Sequence, residues 1–70
     1  MTSNYKAVVK QNGDWWIGWV EEIPGVNSQG RTREELMENL RSALSEALEM
    51  NRDSARDAAG DEFEEITIST

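Results

Sequence analysis

Cysteine and histidine are both absent from this chain. Without cysteine it can form neither disulfides nor thiolate metal sites, and it suits a reducing compartment. Without histidine, nucleophilic catalysis at Ser28 or Thr32 would have to draw its base from a lysine or a carboxylate. Long apolar runs are missing as well: "MTSNYKAVV" at the N-terminus has none that would serve as a signal peptide or a membrane span. These absences lead to the expectation of a cytoplasmic, non-enzymatic protein with no cofactor and no membrane association. At 70 residues there is room for one small domain, 1–70, whose single core is marginal. With no staple available, association with itself or another chain is the expected stabiliser.

Charge is present but lopsided. The formal net charge is −7, and residues 34–70 hold eleven acidic against three basic side chains. That half should repel phosphate backbones and steer in a basic partner, with Glu46 and Glu49 among the steering groups.

"YKAVVKQ", "NG" and "DWWIGWVE" read as a β-hairpin around an Asn12-Gly13 type I′ turn. That turn would set Lys10 against Trp15, Val9 against Trp16, Ala7 against Gly18 and Tyr5 against Val20. Directly opposed residues share a face, so Tyr5, Ala7, Val9, Trp16, Gly18 and Val20 form the expected core face. Ala7 and Gly18 would leave a shallow spot for a helix. The other face carries Lys6, Val8, Lys10, Trp15, Ile17 and Trp19.

"IPG" ends the strand, because Pro24 holds Ile23 extended and Gly25 permits the reversal. "VNSQG" follows as a short polar edge strand. Thr32 and Glu35 then frame a capping box in "TREE". Leu36, Leu40, Ala43, Leu44, Ala47 and Leu48 make an apolar helical stripe. The helix should reach about Met50 and could continue to a stop at Gly60, with 55–61 as the one candidate connector. In "EFEEITIST" the alternation of Ile66 and Ile68 with Glu65 and Thr67 predicts a closing strand that joins the sheet. The expected fold is α+β, a two-layer β-β-β-α-β domain with one long helix on a small, mostly antiparallel sheet.

Catalytic patterns are weak. Neighbouring carboxylates at Glu21 and Glu22, and at Glu64 and Glu65, point to opposite strand faces and do not converge on a metal or a scissile bond. Asp14 is a hairpin-end residue. "GVNSQG" lacks the lysine of a phosphate-binding loop, and acidic residues open the helix behind it.

The tryptophan-lysine face admits three readings. Trp15 and Trp19 could be structural, with Lys6 and Lys10 stems lying across them. They could form a protein interface, since tryptophan is enriched at binding hot spots. They could also stack single-stranded RNA, although two lysines amid carboxylates are a poor footprint for it. The edge from Val26 to Gln29, with Val26 and Ser28 as candidate interface residues, offers backbone groups for strand addition.

Taken in order, Ile17-Gly18-Trp19, Ile23-Pro24-Gly25, Gln29-Gly30 and Thr32-Arg33-Glu34-Glu35 resemble the HicB family of antitoxins over about residues 4–50. The resemblance implies a partial ribonuclease-H-like fold without the nuclease's metal-binding carboxylates. It implies an antitoxin role in a type II toxin–antitoxin system and assembly as dimers or tetramers. It further implies a partner, the HicA toxin, a small basic protein that degrades mRNA through a histidine. Many family members add a DNA-binding domain; the chain ends at Thr70 with none, so direct DNA binding is not expected. The remaining alternatives are an orphan homo-oligomeric interaction domain and a single-stranded RNA binder.

Overall fold

A computed structural model describes residues 4–68. Strand β1 (Ala7–Asn12) pairs antiparallel with β2 (Trp15–Val20), β2 pairs antiparallel with β3 (Asn27–Gly30), and helix α1 (Arg33–Ala59) follows. The protein is therefore α+β, one long helix on a small antiparallel sheet in the order β-β-β-α.

The hairpin turns one residue later than expected. Gly13 is the first loop residue, with φ 64°, and no non-glycine residue among those described has positive φ. A type I′ turn on Asn12-Gly13 would have put Asn12 in the left-handed region as well. Placing Gly13 and Asp14 in the loop leaves that conformation to the glycine alone, the pattern of a type II′ turn. Asn12 then joins the ladder opposite Trp15, and every pair moves by two: Ala7 faces Val20, Val9 faces Gly18, and Lys10 faces Ile17. A shift of two preserves the pleat, so both sets of side chains keep their expected faces. Tyr5 and Ala7, expected in the core, are nevertheless exposed, because α1 does not extend over β1.

Glycine at 18 is explained by close approach. A Cβ there would lie 3.0 Å from Val9 Cγ1 and 3.1 Å from Leu40 Cδ1. The shallow spot is thus real, with Val9 rather than Ala7 opposite it, and Leu40 fills it.

Helix α1 begins as its sequence dictates. The Thr32 hydroxyl accepts the Glu35 N–H at 3.0 Å, and Glu34 and Glu35 lie at the positive end of the helix dipole. Leu36 and Leu40 then drop into the core with Val20 and Val26; Trp16, Ile23, Leu44 and Ala47 pack around them. Leu36 is completely buried, which contributes roughly 1.5–3 kcal/mol by transfer alone.

The helix covers β3 and β2 but not β1. It also outruns the sheet. From Glu49 onward every described residue is exposed, and the molecule measures 50 × 24 × 16 Å. Residues 55–59 are helical rather than a connector. Termination comes at Gly60, whose φ of 86° suits glycine and whose N–H donates to the Arg56 carbonyl at 3.1 Å.

Among the described residues the closing strand does not form; Ser69 and Thr70, the end of that expected strand, lie outside them. Residues 63–68 are irregular, and Ile66 and Ile68 are 77% and 84% exposed. The reason is reach. The helix carries the chain past the end of the sheet, and an alternating pattern cannot become a strand without a neighbouring edge.

Candidate interaction face

The open side of the sheet is built by the pleat of β1 and β2. Trp15 and Trp19 are 38% and 45% exposed there, beside the exposed Val8 and the half-buried Ile17. Val8 stands directly opposite Trp19, and Lys10 opposite Ile17, so Lys10 reaches the two tryptophans only on the diagonals. Between β2 and β3 the face holds a recess of about 230 Å³, lined by Ile17, Trp19, Asn27 and Gln29 among others.

The cation over a tryptophan is not a lysine. The Arg31 guanidinium lies 4.4 Å from the centre of the Trp15 ring. This replaces the expected lysine stems: register takes Lys10 to Ile17, while Arg31 leaves the end of β3 beside Trp15. Lys6 sits just before β1 against acidic neighbours. Its N–H donates to Glu22 Oε1 at 3.0 Å, and its carbonyl accepts from the Glu21 N–H at 2.8 Å.

Two expected interface residues belong elsewhere. Val26 is buried in the core, and its carbonyl accepts the Val20 N–H at 2.9 Å. Ser28 is half-buried opposite Gly18, with its side chain on the helix side, although it also borders the open-face recess. The edge they were expected to open is also partly closed. Antiparallel alternation turns the Asn27 and Gln29 backbone groups outward, and the Asn39 side chain donates to the Gln29 carbonyl at 2.8 Å. A helix residue thus supplies the hydrogen bond an added strand would have made.

Glu46 and Glu49 are exposed on α1, where they border a surface recess with Met50 and Asp53. They lie in the helix layer, across the sheet from the tryptophans, so one continuous site does not contain both. The neighbouring carboxylates stay apart in function too: Glu22 receives the Lys6 N–H, and Glu65 pairs with Arg56 at 3.3 Å. Among the described residues, no three acidic side chains gather in a geometry that could hold a metal ion. No described helix is long and apolar enough to cross a membrane.

Sequence reasoning missed Arg31, Asp53 and Asn39. Asp53 was findable, since Glu46, Glu49 and Asp53 follow helical spacing. Arg31 and Asn39 act on residues brought close only by folding. Comparison with protein-family models, curated proteins and solved structures returns no match for this chain.

Proposed function

We propose that this chain is a HicB-like antitoxin, a cytoplasmic binding protein that neutralises a small basic HicA-like ribonuclease by covering its RNA-binding surface. The observation that carries this reading is the open sheet face, where Trp15 and Trp19 stand exposed beside Val8 and Ile17. Half-exposed aromatics on a rigid strand are well suited to anchor a protein partner at little entropic cost. The net charge of −7 draws a basic protein toward the molecule from any side. Contact on the tryptophan face then holds it. A base-stacking role is less well supported, because Arg31 already covers the Trp15 ring.

The test looks for a small basic protein encoded beside this chain and assays it for mRNA cleavage with and without an equimolar amount of the chain. The expected result is loss of cleavage and a stoichiometric complex. Trp15→Ala with Trp19→Ala should weaken that complex by about 30-fold or more, the effect of a hot spot of at least 2 kcal/mol. Glu46→Lys with Glu49→Lys should slow association, more at low salt than at high. Cleavage unaffected by the chain, or the lack of any such neighbour, would sink the antitoxin reading.

A further inference from the structure

We propose that residues 63–68 of one copy form a fourth strand along the free edge of β1 in a second copy, reciprocally, giving a dimer by strand exchange. This goes beyond the toxin-binding reading and does not depend on it.

The acceptor is an uncovered edge above an apolar groove. The Glu21 N–H to Lys6 carbonyl bond sets the hydrogen-bonding alternation of β1. It turns the backbone groups of Ala7, Val9 and Gln11 away from β2, into an edge that no described strand occupies. Because α1 covers β3 and β2 only, a cavity of about 160 Å³ opens on the helix side of this edge. Tyr5, Ala7, Val20, Met37, Leu40 and Leu44 line it, with Arg41 at the rim. A strand added here would place the helix over the middle of a four-stranded sheet. The opposite edge is the poorer acceptor, since Asn39 already occupies the Gln29 carbonyl.

The donor matches the acceptor in pattern and in charge. Laid as a strand, residues 63–68 put Glu64, Ile66 and Ile68 on one side and Phe63, Glu65 and Thr67 on the other. Ile66 and Ile68 would fill the groove, with Glu64 near Arg41. On the open side Phe63 would join Val8, and Glu65 would lie among Lys6 and Lys10. The only polar anchor described for this segment is the exposed Arg56–Glu65 pair, which is easily exchanged.

The chain cannot make this strand with itself. Leu44 marks the near end of the groove, and from there the helix runs about 24 Å outward to Gly60. Ile66 can return at most about 20 Å from Gly60 even when fully extended. Ile66 therefore falls short of its own groove and Ile68, at most about 27 Å from Gly60, gets only to its mouth, so the two cannot fill it together. A second molecule related by a two-fold axis can present its groove to the projecting end.

The first measurement is light scattering of the full chain, at concentrations up to millimolar, with and without Ile66→Asp and Ile68→Asp. Wild type should have twice the 7.9 kDa chain mass. The double variant should have the single mass and an unchanged helical circular-dichroism signal, because both side chains are solvent-exposed within one copy. The second uses the natural lack of cysteine. Chains carrying only Ala7→Cys and chains carrying only Ile66→Cys are mixed and oxidised. They should form a disulfide-linked pair of unlike chains, in clear excess over the Ala7→Cys with Ser54→Cys control. A monomeric wild type, a double variant that stays dimeric, or cross-linking no better than the control would each overturn the proposal.

Discussion

Gly30→Ala tests whether the strand-to-helix junction is set by close backbone approach. The φ of Gly30 lies outside the left-handed region, so alanine is conformationally acceptable there. Reduced freedom in the unfolded chain would then stabilise the variant by about 0.4–1 kcal/mol. Against this, the new Cβ would stand 2.6 Å from the Leu36 backbone N and 3.1 Å from the Glu35 carbonyl carbon. Those atoms belong to the first helical turn, which is fixed by the Thr32 cap and by the burial of Leu36. Relief requires moving the helix start off the sheet. Overpacking of this kind costs about 1–3 kcal/mol, so the net change is a loss of roughly 1–2 kcal/mol. In a domain this small, each kcal/mol moves the melting midpoint by about 4–8 °C. A fall of about 4–16 °C is therefore expected by far-UV circular dichroism at fixed protein concentration. Gly18→Ala is the internal comparison. Its nearest obstacles include the side-chain ends of Val9 and Leu40, which can yield, although the Val8 carbonyl oxygen stands at 3.2 Å. Its loss should be the smaller. A Gly30→Ala protein as stable as wild type, or more so, would refute the close-approach argument.

Three other perturbations follow from the same geometry. Leu36→Ala empties the most buried position of the core and should cost about 2–5 kcal/mol, a large share of the roughly 4–10 kcal/mol a chain this length can hold; urea denaturation followed by tryptophan fluorescence reads it. Thr32→Ala removes the hydroxyl that accepts the Glu35 N–H and should cost about 1 kcal/mol, while Thr32→Asp should retain most of it. Arg31→Ala uncovers Trp15 and should shift the fluorescence maximum to the red with a stability change below about 1 kcal/mol. An unshifted spectrum would show that the guanidinium does not sit on the ring in solution.

Much of the architecture is written in local patterns. The alternation in β1 and β2 sorts their faces by itself, and that sorting survives the change of turn because a two-residue shift preserves the pleat. The Thr32 cap, the stripe from Leu36 to Leu48 and the stop at Gly60 act within one or two helical turns, where local chemistry decides. Exposure of Trp15 and Trp19 was legible for the same reason: one helix can cover only one side of three strands.

What folding alone decided depends on distances between segments remote in sequence. Asn12-Gly13 is a good turn signal, yet the backbone used Gly13-Asp14, because only glycine then takes positive φ, and the ladder closes on Asn12–Trp15 instead. Val26 reads as an edge residue until the Ile23–Gly25 reversal turns it under Leu36 and Leu40. Arg31 over Trp15 and Asn39 on the Gln29 carbonyl arise where the chain leaves β3 and folds back along it. The fate of Ile66 and Ile68 is the plainest case. Their alternation encodes a strand, but a strand needs an edge within reach, and the length of α1 puts its own sheet too far away.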